Sequence, residues 1–286
     1  MGIHEGLGRL SNWLGFLLMC GLFGMISCEQ RVEGCLDFRA LDVDLNADDA
    51  CSDCCVFPSL ALNFVPVRLD GGVVSDILQR SDTLMLGSEL GLSPELGFYL
   101  HDIALISDDG QRLEMQDTFT VFSGGEEPDF VFERSLLRIT PFSQTSYELG
   151  TLLEAQTFIA IEAKLGLPDV LRSVEIDFQP VGSPLSRNAD SLLISAQGDK
   201  FLDVNFRYVR QDGNPDSSTV GEAQSQLVRW DLPNPFAFEP SFNFIISLGI
   251  PADLLLSLDN GTVNGDVFIS DFLNQSEILE TFLSRS

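Results

Sequence analysis

The chain has 286 residues, of which 44% are hydrophobic, so it can bury a sizeable core, expected as one large β domain with small appendages. Its formal net charge is −27, and its two lysines are Lys164 and Lys200. Such a surface repels phosphate backbones and anionic membranes, so nucleic acid is excluded as an expected partner. A solvated acidic surface and a cation-binding surface would both account for the charge.

Residues 1–27 are predicted to be a lipoprotein signal peptide. Residues 13–26 are an uninterrupted run of apolar residues and glycines, too short to span a bilayer comfortably. The run ends in Met25-Ile26-Ser27-Cys28, which resembles a bacterial lipobox and implies that Cys28 becomes the acylated amino terminus. We therefore expect a lipid-anchored protein of the cell envelope, in the outer membrane because Glu29 follows the cysteine. The alternative is an ordinary signal peptide, in which case Cys28 is a free thiol that is not acylated.

Residues 28–58 are predicted to be a cysteine-rich, acidic head. Four cysteines in a short span of an exported chain predict two disulfides (Cys35, Cys51, Cys54 and Cys55). A bond between the neighbours Cys54 and Cys55 would be strained. Two pairings therefore stay open: Cys35–Cys54 with Cys51–Cys55, or Cys35–Cys55 with Cys51–Cys54. Four thiolates holding zinc are the minor alternative in an oxidising compartment.

Oxygen-bearing side chains alternate between these cysteines. The calcium candidates are Asp42, Asp44, Asn46, Asp48 and Asp53. Oxygens at every second position can converge on one hard cation, and Ca²⁺ takes six to eight oxygen ligands. The spacing resembles an EF-hand loop, and more closely the calcium-wrapping loops of thrombospondin type 3 repeats. Ala47 replaces the expected glycine and Asp53 the long bidentate glutamate, so an acidic loop stapled by disulfides is the alternative.

The body, residues 59–286, is predicted to be a mainly β domain built around the strand and hairpin at residues 95–113. Strand alternation predicts two apolar faces, one with Phe98, Leu100, Asp102, Ala104 and Ile106, the other with Tyr99, His101, Ile103 and Leu105. A strand that is apolar on both faces is expected to be covered on both. Asp109-Gly110 predicts a hairpin with a primed turn.

Further strands are predicted at residues 60–65, 118–122, 129–139, 156–165, 201–209, 226–230, 241–249 and 252–258. Pro66 is expected to end the first of them or to place it at a sheet edge. Residues 271–284 fit a short amphipathic helix. Many short strands with regular turns and few helices predict an antiparallel β-sandwich.

Several of these segments resemble the MbnP-like family, envelope proteins named for a copper-binding protein encoded beside methanobactin genes. The resemblance rests on the strand LGFYLHDIAL at 96–105, then Gly166-Leu167-Pro168, Ser183-Pro184-Leu185 and the aromatic strand at 201–209. The arrangement of the head also resembles Bacteroidota lipoproteins that precede MbnP-like domains. The resemblance implies the β-sandwich and, in the family, copper.

The copper ligands implied by that resemblance are missing here. Residues 201–208 contain no tryptophan, and residues 169–173 contain no histidine. After removal of the signal peptide, His101 is the remaining histidine. With Met115, which is nearby in sequence, it could form at most a two-ligand site for Cu(I). A lone histidine in such a strand is typically a hydrogen-bonded core residue. Copper is therefore not expected, and no cofactor is established by the sequence, in which calcium is the one candidate.

Catalysis is not expected either. His101 is the sole imidazole available for a triad, and strict alternation places Asp102 on the opposite face. No G-x-S-x-G, H-E-x-x-H, P-loop or Rossmann sequence is present. The sequence thus predicts a non-catalytic envelope lipoprotein that serves as a binding or accessory module for an envelope protein partner. The alternative is a periplasmic metal-binding protein, with copper by resemblance or calcium through the head.

Overall fold

The computed structural model describes residues 31–286 with gaps, and residues 1–30, including the proposed signal peptide and Cys28, lie outside it. The gaps are residues 52, 71–72, 79–83, 87–89, 116, 123, 125–128, 143–145, 152–155, 188–190, 196–197, 199, 211–214, 219–225, 239–241, 252–276 and 285–286. The chain divides into two compact units, Met1–Phe38 with Asp42–Val56 and Arg39–Leu41 with Phe57–Ser286. The predicted strand at 252–258 also lies outside the described residues.

The described chain is mainly β, as predicted. The strands are β1 Glu33–Gly34, β2 Asp49–Ala50, β3 Ser59–Asp70, β4 Val73–Ile77, β5 Leu84–Leu86, β6 Leu90–Ser107, β7 Arg112–Glu114, β8 Phe119–Val121, β9 Phe130–Phe132, β10 Leu136–Ile139, β11 Ser146–Thr151, β12 Gln156–Leu165, β13 Val204–Arg210, β14 Pro215–Ser218, β15 Gln226–Phe238, β16 Asn243–Pro251 and β17 Glu277–Ser284. Helical structure in the described residues consists of α1, Asp169–Arg172, and the 3₁₀ turns Ile176–Phe178 and Ser191–Leu193. No described helix is long and apolar enough to cross a membrane.

The strand predicted to organise the body is the centre of an eight-stranded sheet. Strand β6 lies between β13 and β12 in the order β14-β13-β6-β12-β15, and β5, β7 and β10 also pair with it. All of these pairings are antiparallel. Because β6 is 18 residues long, successive parts of it can bind different partner strands. This strand therefore carries elements that are distant in sequence into one sheet.

The hairpin after β6 forms where predicted, but its turn type differs. Gly110 has a φ of 83°, whereas Asp109 does not lie in the left-handed region. The Ser107 and Gly110 N–H groups donate to the carbonyls of Gln111 and Ser107. This arrangement is a three-residue loop that ends in one left-handed glycine, not the predicted two-residue primed turn. A single glycine suffices for this loop, and Asp109 instead accepts hydrogen bonds from Ser107 and Gln111.

A five-stranded sheet forms around β3, in the order β11-β3-β16-β17 with β4 also paired to β3. Its β3 and β16 pair in parallel, so the prediction of an antiparallel arrangement was wrong for this pair. The prediction for Pro66 was wrong, because β3 continues through it to Asp70 as an interior strand. Pro66 falls between the part of β3 that pairs with β11 and the part that pairs with β4, while its carbonyl accepts the Leu78 N–H at 2.8 Å. A proline is tolerated where the ladder changes partner.

The prediction of a C-terminal helix was wrong for residues 277–284, which form strand β17 along the edge of β16. Residues 271–276 lie outside the described part of the chain. A short apolar run fits a helix face and a strand almost equally well, so periodicity alone could not decide. The unpaired edge of β16 decides it by offering backbone hydrogen-bond partners.

Both large sheets contribute to one hydrophobic cluster, the main core. Phe64 of β3 packs edge-to-face against Phe98 of β6 and Trp230 of β15, with ring centroids 5.8 and 6.3 Å apart. A second core involves Tyr99, on the opposite face of β6 from Phe98. Its buried members are Tyr99, Val121, Phe132, Leu136, Leu167, Leu171, Val174, Leu185 and Leu193. The prediction that β6 is covered on both faces is therefore confirmed.

Candidate functional site

A β-bulge at Asp102 changes which side chains of β6 share a face. Phe98 and Leu100 belong to the main core, and so do Ile103 and Leu105, so the alternation shifts by one residue between them. On the neighbouring strand, Lys164 pairs with His101 and Glu162 with Ala104, which leaves Ala163 opposite two residues of β6. Asp102 has a φ of 51°, a left-handed conformation that aspartate tolerates better than most residues. The predicted strict alternation was therefore wrong beyond His101.

The bulge gathers charged groups around the Asp102 carboxylate. Lys164 Nζ lies 2.8 Å from Oδ2, and Arg134 Nη1 lies 3.2 Å from Oδ1. Burial raises the pKa of Asp102, but the Lys164 hydrogen bond and the charges of His101 and Arg134 outweigh it and hold that pKa below its ordinary value. Asp102 is therefore ionised at neutral pH and is neutralised locally by two cations.

His101 lies beside this cluster and is 3% exposed. Its Nδ1 is 3.5 Å from Asp102 Oδ2, so the prediction that Asp102 faces away from it was wrong. Within the described part of the chain neither ring nitrogen has a hydrogen-bond partner, in contrast to the hydrogen-bonded core histidine that was expected. Burial lowers the pKa of His101, Asp102 opposes this, and Lys164 and Arg134 lower it further. The ring is therefore neutral at pH 7.

Both members of the candidate copper pair, His101 and Met115, are buried. Met115 belongs to the main core with Ile103, whose carbonyl accepts the Met115 N–H at 2.9 Å. The nearest charged neighbours of His101 include two cations, Lys164 and Arg134, which oppose the approach of a metal ion. Copper binding remains untested.

A second set of ion pairs crosses the same sheet through Glu162. One carboxylate oxygen is 2.7 Å from Arg112 Nη1, and the other is 2.9 Å from Arg229 Nη1. Arg112 also donates to the Asp102 carbonyl at 2.9 Å, and Arg229 pairs with Asp231 at 2.8 Å. These contacts tie β7, β12 and β15 to the bulge. Sequence reasoning missed this network, because the residues are separated by as many as 67 positions.

In the head, the disulfides are Cys35–Cys55 and Cys51–Cys54, one of the two pairings left open by the sequence. Cys35 is buried, Cys51 and Cys55 are partly buried, and Cys54 is exposed. The Sγ atoms of Cys51, Cys54 and Cys55 all lie within 4.8 Å of one another. The head therefore contains two disulfides packed side by side, one inside and one at the surface.

The acidic side chains between these cysteines organise the loop itself. Asp42 accepts the Val56 N–H at 2.8 Å, Asp44 the Asn46 N–H at 2.9 Å and Asp48 the Val32 N–H at 3.1 Å. Within the described residues, the one group of three or more thiol, imidazole or carboxylate ligands within 4.8 Å is the cysteine trio. The carboxylates of Asp42, Asp44, Asp48 and Asp53 are thus not gathered in this conformation, and calcium binding remains a prediction.

Residues 166–187, here called the platform, cover the second core with α1, a 3₁₀ turn and loops. Leu167, Leu171 and Leu185 of the platform are themselves buried members of that core. The beginning of the platform is held by Asp203, whose side chain is 1% exposed. The Asp203 carboxylate accepts hydrogen bonds from the Leu167 N–H at 2.6 Å and from Arg172 Nη1 at 2.7 Å. The platform is thereby tied to the residue that immediately precedes β13.

The middle and end of the platform are also fastened. The buried Gln179 side chain accepts the Phe122 N–H and donates to the Phe122 carbonyl, so it substitutes for a pairing strand. Arg138 donates to the Ser186 carbonyl at 3.0 Å. Between these hydrogen-bonded points the platform exposes three apolar side chains, Val170, Phe178 and Val181, and Val181 is 82% exposed. Sequence reasoning recognised this stretch as a turn and a loop but not as a surface.

Comparisons with known proteins identify no family for the chain. No protein-family model matches it, and no curated protein matches it. Among solved structures, the chain is similar to MbnP from Methylosinus trichosporium, with 13% sequence identity, a TM-score of 0.39, and coverage of 68% of this chain and 76% of that chain. At this TM-score the likeness is distant, and it identifies neither a ligand nor a site in this chain.

Proposed function

We propose that the protein is a non-catalytic binding module of the cell envelope, anchored by a lipid on Cys28, and that its platform binds a protein partner. The observation that carries this proposal is the combination of a fixed backbone and exposed apolar side chains at residues 166–187. Apolar side chains held rigidly at a surface lose little entropy on binding, which favours their use as anchors in an interface.

The partner that suits this surface is basic and has apolar side chains of its own. Glu175 is exposed on the platform near Val170, Phe178 and Val181 in sequence, while the exposed Asp169 and Asp177 pair with Arg172 and Arg187 of the platform itself. The whole chain carries a formal net charge of −27, which steers cationic surfaces towards it. An envelope protein with a basic rim around an apolar pocket fits both features.

The scaffold for this surface is proposed to be a β-sandwich. Side chains from β3, β11 and β16 of the five-stranded sheet share the main core with side chains from β6, β12 and β15 of the eight-stranded sheet. Two sheets that bury one common cluster are most simply arranged face to face. In that arrangement the platform occupies the outer face of the eight-stranded sheet.

A binding role also fits the surroundings of His101. Burial and two neighbouring cations keep this imidazole neutral, and neither of its nitrogens is hydrogen-bonded to a nucleophile among the residues that the structure describes. The carboxylate that would orient it, Asp102, is engaged by Lys164 and Arg134. The charged groups on this side of the sheet neutralise one another, so we assign them a structural role.

Site-specific photocrosslinking in the native host tests the proposal. A photoreactive amino acid at Val181 should give a crosslinked adduct with one envelope protein, identified by mass spectrometry. The matched control is Ile77, which is 57% exposed on β4 of the other large sheet and should give no such adduct. The same adduct from both positions, or none from Val181 at native expression levels, would refute a platform interface.

Metal binding is the alternative function, and the observation that favours it is the alternation of oxygen-bearing side chains between the cysteines of the head. Calcium would use the oxygens of Asp42, Asp44, Asn46, Asp48 and Asp53. Copper would use His101, which by itself supplies one nitrogen ligand. A competition titration of wild type and His101→Ala against a copper chelator separates a real site from loose surface binding, because the variant loses only the former.

A further inference from the structure

The surface disulfide of the head has the sequence of an exchangeable dithiol. Cys51-Ser52-Asp53-Cys54 is a Cys-x-x-Cys segment, and in the structure these two cysteines are bonded to each other. Cys54 is exposed, so an incoming thiolate can reach its sulfur, whereas Cys35 of the other disulfide is 2% exposed. Access and sulfur position control the rate of thiol–disulfide exchange. The two disulfides are therefore expected to differ in reactivity.

The two disulfides also differ in what they stabilise. Cys51–Cys54 joins residues three positions apart, while Cys35–Cys55 joins residues 20 positions apart. In the chain-entropy account, a disulfide that closes a longer loop constrains the unfolded chain more. Opening Cys51–Cys54 thus removes little from the stability of the head, and the remaining bond still holds its two ends together.

The third sulfur of the trio connects the two bonds. Cys55 Sγ lies within 4.8 Å of both Cys51 Sγ and Cys54 Sγ, although it is bonded to Cys35. A thiolate released at Cys51 therefore has a disulfide sulfur within a short side-chain movement. Attack by Cys54 on its own neighbour Cys55 would close a strained ring, so Cys51 is the competent attacker.

We propose that the head is a thiol–disulfide relay, in which a dithiol reduces Cys51–Cys54 and Cys51 then exchanges with Cys35–Cys55. In the first step a thiolate of the dithiol attacks Cys54 Sγ, which breaks the bond to Cys51 and releases it as a thiolate. The second thiol of the reductant attacks the mixed disulfide and releases Cys54. The reductant becomes a disulfide, and two electrons pass to the head.

The second step transfers no net electrons. The Cys51 thiolate attacks Cys55 Sγ, the Cys35–Cys55 bond breaks, a Cys51–Cys55 bond forms, and Cys35 leaves as a thiolate that takes a proton from water. The product has thiols at Cys35 and Cys54. The segment itself contains the exposed Asp53 and the chain is strongly acidic, so a neutral or cationic dithiol is favoured over an anionic thiol.

Quenched reduction of the purified full chain tests the relay. Samples taken after adding one equivalent of dithiothreitol are alkylated and mapped by mass spectrometry. The label should appear first on Cys51 and Cys54 and then on Cys35 and Cys54, with a Cys51–Cys55 crosslink. Labelling that stays on Cys51 and Cys54 would refute the relay, and simultaneous or earlier opening of Cys35–Cys55 would refute the selectivity.

A variant that lacks the outer pair supplies an independent test. In Cys51→Ser with Cys54→Ser, the Cys35–Cys55 bond should be reduced roughly tenfold more slowly than in the wild type, because the internal attacker is absent. Reduction at the wild-type rate in the folded variant would overturn the proposal. If circular dichroism shows that the variant does not fold, the order of labelling in the wild type decides the question alone.

Discussion

Replacement of the buried carboxylate that fastens the platform, Asp203→Asn, should destabilise the protein and loosen the platform. Asp203 accepts two hydrogen bonds, from the Leu167 N–H at 2.6 Å and from Arg172 Nη1 at 2.7 Å. Asparagine has the same shape but one acceptor oxygen, so its amide N–H₂ must face one of these two donors. The substitution also removes the charge that balances Arg172.

The size of the expected loss in unfolding free energy follows from the burial of Asp203 and Arg172. Breaking a buried pair by removing one charge costs about 3–5 kcal/mol. The Arg172 side chain is 27% exposed, so water recovers part of that cost. We therefore expect the free energy of unfolding to fall by about 2–3 kcal/mol in Asp203→Asn. Asp169→Asn is the matched control, since Asp169 contacts the same arginine at 3.2 Å but its side chain is 98% exposed.

Urea unfolding, followed by the fluorescence of the buried Trp230 and by circular dichroism, measures both variants. Asp169→Asn should be indistinguishable from the wild type, since exposed ion pairs contribute little. Hydrogen exchange should show lost protection at the Leu167 amide in Asp203→Asn, with β6 unchanged. An Asp203→Asn protein as stable as the control, or one that exchanges faster throughout both sheets, would show that this carboxylate does not act as a local fastener.

The remaining predictions concern titration, calcium and the anchor. The pKa of His101 is lower in the folded protein than in the unfolded chain, so the unfolded chain binds the proton first as pH falls. The free energy of unfolding should therefore fall as pH drops below 6.5. His101→Gln should lose that part of the pH dependence, and parallel plots of unfolding free energy against pH for the two proteins would contradict the prediction. Calcium should bind the head with a dissociation constant of about 10⁻⁴–10⁻³ M, and it should bind more weakly to Asp44→Asn. Calorimetry that detects no heat up to about 10 mM calcium would show that the acidic loop does not bind calcium. Mass spectrometry of the membrane-extracted protein should find an acylated Cys28 at the amino terminus, and a water-soluble mature form that starts elsewhere would exclude the anchor.

Features set by short-range chemistry were readable from the sequence. The apolar alternation of β6 and the glycine after Asp109 are local signals, and both correspond to elements of the structure. The spacing of four cysteines predicted two disulfides in the head and excluded a bond between Cys54 and Cys55. The strand and turn signals act within a few residues of their cause, and the cysteines act within one short segment in which the longer disulfide spans 20 positions.

Features that depend on distant partners were decided by the tertiary structure. The unpaired edge of β16 makes residues 277–284 a strand, although their apolar pattern also fits a helix. The bulge at Asp102 places two residues of β6 opposite one residue of β12, and it reverses the faces of the β6 residues that follow it. The platform depends on Asp203, 36 positions beyond Leu167. The hydrophobic periodicity of a segment indicates which secondary structure it can form. The strand, the bulge and the platform depend in addition on the backbone groups and charges that distant parts of the chain place next to them.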